Sequence, residues 1–233
     1  MTPPASPLPP PVIAVDGPSG VGKGMVTRWL AHELGWHRLD SGALYRILAL
    51  AAQRAGIGPE QPEAVAGLAP GLDIRFAGAT EADEAILVDG EDWTAEVRAE
   101  ATGGLASHIA SAVPVRAALL QRQRDFRHLP GLVADGRDMG TVVFPDARLK
   151  IFLDASAEAR AERRWRQLSQ AGADARLLDL CDEVRARDER DRKRAIAPLA
   201  PAADAIVVDS TQMKPDEVLA EVGRLLRDCG ISR

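Results

Sequence analysis

A glycine-rich segment near the start of the chain carries the clearest chemical signal. Residues 17–23 read Gly-Pro-Ser-Gly-Val-Gly-Lys and lie between the apolar run 12–15 and a helical pattern at 25–34. Glycines let successive backbone N–H groups point into one concavity, and the following helix adds the positive end of its dipole. The spacing from Gly17 to Lys23 therefore predicts a phosphate-binding loop in which Lys23 reaches the outer phosphates.

Two further polar segments follow predicted strands. The first spans residues 40–46 and ends in Tyr45 and Arg46, while the second spans residues 135–140 and holds two aspartates, one arginine and two glycines. The polar side chains of the first segment could serve only as helix caps and surface charge. Ligands bind beyond the carboxyl ends of strands in an open α/β sheet, which favours a binding role for both segments. Asp135 stands where phosphate-loop enzymes hold Mg²⁺, directly or through water.

A charged stretch late in the chain combines arginine and aspartate on one predicted helix. Arg187, Asp191 and Arg194 are spaced i, i+4 and i+7, so they share one face of that helix. Most such runs are solvated faces with i,i+4 ion pairs. This stripe also suits the joint binding of a phosphate and a sugar hydroxyl, and we favour that interpretation. Three arginines on the preceding helix are weaker candidates, equally suited to exposed solubilising charge: Arg160, Arg163 and Arg164.

The elements that would position these groups alternate along the chain. Apolar runs predict core strands at 12–16, 37–40, 132–134, 149–153 and 205–208. Periodicity and breakers predict helices at 25–34, 41–54, 97–112, 114–128, 156–170, 177–195 and 216–226. Ser41 is expected to cap the second helix, and Gly103-Gly104 are expected to break the third. Weak alternation at 72–76 and 86–88 predicts a small hairpin, and the order of elements begins a doubly wound α/β domain.

Composition narrows the range of partners. The chain has 233 residues and a net charge of −5, so no overall cationic field favours a nucleic acid polymer. Its two cysteines lie far apart, which fits a reducing compartment, and its four histidines show no metal-ligand spacing. Residues 1–11 are Pro-rich and predict a disordered tail without signal-peptide features, and no apolar run reaches membrane-spanning length. We therefore expect a cytoplasmic protein with no membrane or nucleic-acid partner.

From residue 12 onward the chain resembles the bacterial cytidylate (CMP) kinases, a family of nucleoside monophosphate kinases. The most specific similarity lies in four segments: 16–24, 39–46, 134–147 and 187–198. A phosphate loop alone is shared by many unrelated proteins. The loop Gly136-Arg137-Asp138-Met139-Gly140, together with the arginine and aspartate stripe at 187–194, is far more selective.

The resemblance implies an α/β fold: a doubly wound parallel P-loop sheet with helices on both faces. A single kinase domain would span 12–233, with an inserted NMP-binding subdomain at 41–112 and a short lid at about 163–176. The implied reaction moves the γ-phosphoryl group of MgATP to CMP or dCMP and gives ADP and CDP or dCDP. The implied enzyme is a monomer whose partners are these nucleotides.

The resemblance also implies a donor site and catalytic residues. The loop residues expected to bind ATP are Gly17, Pro18, Ser19, Gly20, Val21, Gly22, Lys23, Gly24 and Met25. Lys23, Arg137 and Arg194 would be catalytic. Mg²⁺ would be held through water near Asp16 or Asp135.

The implied CMP site draws on residues spread along most of the chain. Its phosphate would be held by Arg46, Arg137 and Arg194, and its sugar by Arg187 and Asp191. The cytosine edge would be read by Ser107, Arg116 and Asp138. A carboxylate accepts well from the N4 amino group of cytosine, whereas uracil offers an oxygen there. Ser41 and Tyr45 complete the set.

Met25 departs from the family's pattern. Members commonly have Thr or Ser at this position, so a hydroxyl near the β-phosphate is missing, and the departure calls the family's ATP affinity or metal positioning into question for this chain. Two alternatives stay open at this point: a related kinase with another acceptor, such as UMP, AMP or a small alcohol, and a nucleotide-binding module without catalysis. Asp138 argues against the first, and the number of positioned acceptor charges argues against the second.

Overall fold

The computed structural model describes residues 9–77, 85–170, 172, 174–194 and 196–232. The strands within them are β1 Val12–Asp16, β2 His37–Asp40, β3 Ile74–Ala77, β4 Ala85–Val88, β5 Glu91–Asp92, β6 Leu132–Gly136, β7 Leu149–Asp154 and β8 Ile206–Asp209. The α-helices are α1 Lys23–Leu34, α2 Ser41–Arg54, α3 Pro62–Leu68, α4 Thr94–Arg98, α5 Glu100–Ile109, α6 Val113–Arg124, α7 Ala157–Gln170, α8 Leu177–Arg192 and α9 Pro215–Asp228.

A five-stranded parallel sheet forms the centre of the molecule, in the order β2-β6-β1-β7-β8. All five residues of β1 are buried, and the first four alternate between two apolar clusters. Val12 and Ala14 pack on the face covered by α2 and α6, while Ile13 and Val15 pack on the face covered by α1 and α9. This two-sided burial explains the near-continuous apolar runs of the core strands. The predicted α/β sheet with helices on both faces is confirmed.

A second, antiparallel sheet joins β3, β4 and β5. It contains the predicted hairpin, with Ile74 opposite Val88, and the segment 78–84 between its strands lies outside the described residues. Two elements of this region were missed by sequence patterning: the short helix α3 and the two-residue strand β5. Both are too short for periodicity to show. The predicted insert at 41–112, as a unit with those bounds, stays a prediction.

Two local expectations are corrected. Asp40, not Ser41, caps α2, since Asp40 Oδ1 accepts the Ala43 N–H at 3.1 Å. The break in the helical region falls at the extended residue Ala99 and not at the glycine pair. Gly103 lies inside α5, where an added Cβ would come within 2.7 Å of Arg46 Nη2. That glycine therefore permits a close approach and does not end a helix.

The ends of two predicted segments also differ. Helix α8 ends at Arg192, so Arg194 lies beyond the helix rather than on its face, and residue 195 is outside the described part of the chain. Residues 1–8 are likewise outside it. The carbonyl groups of Pro10 and Pro11 accept N–H groups of Arg127 and Leu132, so the folded part begins before residue 12.

No single helix within the described residues is long and apolar enough to cross a membrane. One pair, α5 and α6, meets the length and composition test only when its two helices are joined across a bend of 107°.

Candidate active site

The phosphate loop links β1 to α1 and depends on three glycines. Gly17, Gly20 and Gly22 have backbone φ angles of +151°, +76° and +100°, which residues other than glycine rarely adopt. An added Cβ at Gly17 would also overlap the backbone carbonyl oxygen of Leu153 in β7. Helix α1 then begins at Lys23, directly after Gly22. The loop therefore takes the predicted form, a sharp turn that leads from the carboxyl end of a central strand into a helix.

Lys23 lies buried at the base of this loop. Its Nζ donates a hydrogen bond to the Pro18 carbonyl at 2.9 Å and lies 3.8 Å from Asp135 Oδ1 at the end of β6. Burial, helped by the nearby charge of Arg137, lowers the pKa of Lys23 to about 8. Burial raises the pKa of Asp135 to about 6. An anion bound in the loop would favour the charged form of Lys23.

Asp16 holds the polar loop after β6 in place. Its Oδ1 and Oδ2 accept the backbone N–H groups of Met139 and Gly140, each at 2.8 Å. These two amides begin a π-helical turn over Met139–Val143 that the sequence did not reveal. Burial raises the pKa of Asp16 to about 6. The structure thus gives Asp16 a positioning contact next to Arg137 and Asp138, and its role toward Mg²⁺ stays a prediction.

Asp191 brings two predicted phosphate-binding arginines together. Arg137 Nε donates to Asp191 Oδ2 at 3.0 Å, and Arg194 Nη2 donates to Asp191 Oδ1. Asp191 is only 1% exposed. Its burial opposes ionisation, but the charges of Arg137 and Arg194 hold its pKa below the usual value. Although Arg194 lies beyond α8, its contact with Asp191 keeps it beside the helix.

Arg187 presents an unsatisfied donor near the same group. Its Nε is buried and has no hydrogen-bond partner among the described residues. Burial, reinforced by the charge of Arg137, lowers its pKa to about 10. A buried donor without a partner costs free energy, which a ligand acceptor would recover.

All three predicted base readers line the same cleft, and two of them contact each other. Arg116 Nη2 donates to Asp138 Oδ2, and Arg116 Nη1 donates to the Ala110 carbonyl at 3.3 Å. Burial raises the pKa of Asp138 despite the neighbouring arginines. The Ser107 hydroxyl is buried and has no partner among the described residues. An anionic acceptor, a cationic donor and an unpaired hydroxyl can together match the mixed polar edge of a base.

Helix α2 supplies two further side chains of the predicted acceptor site, Tyr45 and Arg46. Arg46 Nη1 donates to the carbonyl oxygens of Val97 and Ala99, at 2.9 and 2.8 Å, and so ties α2 to the break before α5. Burial lowers the pKa of Arg46 and raises that of Tyr45. Both residues face the space in which Arg137 and Asp138 also lie.

A single cleft of about 940 Å³ joins these parts. The predicted site residues that line it are Ser19, Gly20, Gly22, Lys23, Gly24, Met25, Ser41, Tyr45, Arg46, Ser107, Arg116, Asp135, Arg137, Asp138, Arg187, Asp191 and Arg194. Asp16, Gly17, Pro18 and Val21 are not part of its lining. The phosphate loop and the predicted acceptor residues therefore open onto the same space. No cluster of three or more His, Cys, Asp or Glu side chains suited to a metal ion occurs in the described ranges.

Sequence reasoning missed one group of residues at the cleft and left the role of one arginine open. Residues 211–215 line the cleft shortly after β8, and the rule that ligands bind beyond the carboxyl ends of strands could have found them. Arg160 is the second case. Of its two possible roles, binding or solubilising surface charge, the second is excluded because Arg160 is only 2% exposed. Its partner Asp188 lies 28 positions away, and no local pattern signals that contact.

Met25 has a packing role in this structure. It is half-buried against the apolar cluster of α1 and α9 while it also lines the cleft. The nearby Thr27 is fully buried, and its hydroxyl donates to the Gly24 carbonyl at 3.3 Å. Thr27 therefore does not replace the hydroxyl that Met25 lacks.

Comparison with known proteins agrees with this geometry. The sequence profile of the family described as Cytidylate kinase matches residues 13–228. The chain is 52% identical over 218 residues to a cytidylate kinase of Klebsiella pneumoniae (strain 342), covering 94% of this chain and 96% of that one. It is 56% identical over 212 residues to a cytidylate kinase of Aeromonas salmonicida (strain A449), covering 91% and 92%. A third, from Pseudomonas entomophila (strain L48), is 56% identical over 213 residues, covering 91% and 93%. The chain belongs to the cytidylate kinase family.

Proposed function

We propose that the two halves of the cleft divide the work of an ATP-dependent CMP kinase. The phosphate loop holds ATP, and the residues opposite hold CMP or dCMP, which receives the γ-phosphoryl group. The observation that carries this proposal is the single cleft, because it places a phosphate loop and a dense set of acceptor-binding charges around one space. Phosphoryl transfer requires positioning and charge stabilisation more than covalent chemistry by the protein.

In the donor half, Lys23 is proposed to move from the Pro18 carbonyl to the outer phosphates of ATP. Its long side chain can do so without a change in the loop backbone. Residues 211–215 are proposed to lie against the rest of ATP, since they line the cleft beside Met25. The charge of Lys23 would then offset the negative charge that spreads over the transferring group.

In the acceptor half, Arg46, Arg137 and Arg194 are proposed to hold the CMP phosphate. Asp191 keeps Arg137 and Arg194 close together before CMP arrives, which lowers the entropic cost of forming the site. Arg187, with its unpaired Nε, is proposed to bind the sugar together with Asp191. The acceptor is an anionic phosphate oxygen, so no general base is needed.

The base would be read by Asp138, Arg116 and Ser107. Asp138 would accept from the cytosine N4 amino group while Arg116 and the Ser107 hydroxyl donate to the acceptors beside it. The Arg116–Asp138 ion pair orients both groups in advance. Ser41 and Tyr45 line the same half of the cleft. Uracil would present an oxygen to Asp138, and that repulsion would exclude UMP.

Asp135 fits a water-mediated Mg²⁺ site better than Asp16 does. A carboxylate is the hard oxygen donor that Mg²⁺ prefers, and Asp135 lines the cleft beside Lys23. Asp16 already accepts two backbone N–H groups and does not line the cleft. Bound Mg²⁺ would neutralise charge on the phosphate oxygens during transfer.

The described part of the predicted lid also borders the cleft. Arg163, Arg164, Arg166 and Gln167 of α7 line it, whereas residues 171 and 173 lie outside the described positions. We propose that this segment closes over the bound nucleotides and excludes water, so that CMP and not water is phosphorylated. We further propose a monomer, because one chain supplies every group assigned above, and a cytoplasmic location, because two distant cysteines fit a reducing compartment.

The acceptor assignment is tested by a panel of CMP, dCMP, UMP and AMP with ATP and Mg²⁺, measured by ADP release. We expect CMP and dCMP to be turned over with a kcat/KM at least about tenfold above that of UMP and AMP, because the site reads a base edge. Turnover of UMP equal to that of CMP would contradict the assignment of Asp138. ATP binding without any acceptor-dependent ADP release would contradict the kinase itself.

A further inference from the structure

We propose that Arg160 is a positioning residue that couples the two halves of the cleft. Its ion pair with Asp188 ties the acceptor-binding helix α8 to the backbone of the phosphate loop. The inference rests on the roles proposed above for those two halves. It assigns a task to a buried arginine that needs no direct contact with either nucleotide.

Arg160 uses its guanidinium group to bridge three elements. Nη1 donates to the Ser19 carbonyl of the phosphate loop at 3.0 Å and to Asp188 Oδ1 at 3.0 Å. Nη2 donates to Asp188 Oδ2, and Nε donates to the Ala155 carbonyl after β7 at 3.0 Å. The planar fork of an arginine can meet these acceptors together, whereas a lysine ammonium offers a single point of charge.

Asp188 lies on α8 among the residues proposed to bind the acceptor nucleotide. It follows Arg187 directly and precedes Asp191 by less than one helical turn. Asp188 is 4% exposed, and its other cationic neighbour, Arg192, lies 4.0 Å away. A shift of α8 that accompanies nucleotide binding would therefore move Asp188 and, through their ion pair, Arg160. Because Arg160 also donates to the Ser19 carbonyl, the shift would change the position of the phosphate loop.

A second ion pair joins the same two helices without touching the loop. Arg185 Nη2 of α8 donates to Glu158 Oε1 of α7 at 2.6 Å, and both side chains are more than half exposed. Exposed pairs of this kind contribute little to stability. This pair is a matched control, because it connects α7 to α8 but has no link to the nucleotide-binding groups.

The experiment measures thermodynamic coupling between the two nucleotides. The Kd of CMP is determined with and without a saturating non-hydrolysable ATP analogue, and the ratio of the two values is the coupling factor. By linkage the same factor applies to the analogue when CMP is added, so each measurement checks the other. We expect a factor clearly different from one in the native chain. Asp188→Asn should move it at least halfway to one on a logarithmic scale, and Glu158→Gln should leave it unchanged.

Arg160→Lys is the second variant, since it keeps a buried positive charge but loses the fork. It should fold and should lose coupling as Asp188→Asn does. A merely structural role would lower the melting temperature of both variants and leave the coupling factor at its native value, and that result overturns the proposal. A native factor of one, with CMP and the analogue both bound, also overturns it. Failure of the native chain to bind CMP would instead contradict the proposed function.

Discussion

The two halves of the cleft are built in different ways. The phosphate-binding part of the donor half is a contiguous loop whose shape comes from the backbone, with three glycines at positive φ and one lysine after them. The acceptor half is assembled from side chains of elements far apart in the chain, and these side chains pair with one another. Arg137 meets Asp191 across 54 positions, and Arg116 meets Asp138 across 22.

This difference bears on how each half responds to substitution. A change in the loop removes a group that acts directly on the phosphates, so its effect should fall on the rate. A change in the acceptor half also frees the partner of the residue that is lost. The freed partner is left buried and unpaired or finds a new contact, so binding and stability change together.

The largest expected effect belongs to the donor half. Lys23→Ala should lower kcat by about 10²–10³-fold, because it removes a positioned charge from the transferring phosphate. Steady-state kinetics with saturating ATP and CMP measure this, and circular dichroism checks that the variant is folded. A rate within a few-fold of the native enzyme would show that the loop does not carry the chemistry.

Asp191→Asn should give the next largest effect, in the acceptor half. It removes the carboxylate that both Arg137 and Arg194 use, so kcat/KM for CMP should fall by about 30-fold or more, since breaking a buried charge pair costs at least about 2 kcal/mol. The KM for ATP should change little. Asp182→Asn, an exposed carboxylate on the same helix, is the matched control and should behave as the native enzyme. Equal loss in both variants would contradict the role given to Asp191.

The effect expected at the base-reading group falls on selectivity, with a smaller loss in the rate of CMP phosphorylation. Asp138→Asn should reduce the preference for CMP over UMP by about 5- to 150-fold, which corresponds to the 1–3 kcal/mol of a good base contact. Competition between the two acceptors in one assay measures the ratio directly. An unchanged ratio with a uniformly lower rate would show that Asp138 positions Arg116 but does not read the base.

The same contrast explains what the sequence could predict. The phosphate loop and the core strands depend on neighbouring residues, so spacing and apolar runs predicted them closely. The acceptor residues were named by resemblance to a family, and their pairing depends on contacts that no local pattern contains. Arg160 shows the limit most clearly, because an arginine among charged helical residues suggests exposure, and only a distant carboxylate makes its burial possible.

Local chemistry misled in smaller ways. Gly103 looked like a helix breaker, but its missing side chain serves the approach of Arg46 from another helix. Asp40 and Ser41 are both good capping residues, and the side chain that accepts the Ala43 N–H belongs to the first of them. The π-helical turn at 139–143 depends on Asp16, a residue more than 120 positions earlier.

The pH dependence of ATP binding tests the donor half in the native enzyme, through a smaller expected effect. Bound phosphate favours the ammonium form, so the pKa of Lys23 rises from about 8 in the free enzyme. A group whose pKa is raised by binding contributes affinity that is fully present below its free pKa and is lost above it. The Kd for ATP should therefore be flat from pH 7 to 8 and weaken by at most about tenfold per pH unit above 8. Lys23→Arg, which does not titrate there, should show no such rise.

The smallest effect is expected at Met25, which both packs against the apolar core and lines the nucleotide-binding cleft. Met25 packs on the apolar cluster beside α9 and also lines the cleft, so Met25→Thr gains a hydroxyl near the phosphates and loses apolar contact. The lost burial should cost about 1 kcal/mol of unfolding free energy, measured by urea denaturation. The KM for ATP should change by no more than about threefold, because backbone amides and Lys23 supply most of the phosphate binding. A tenfold fall in the KM for ATP would mean that side-chain hydroxyls contribute to phosphate binding in this half of the cleft. The glycine-rich backbone would then account for less of the binding than the comparison of the two halves assumes.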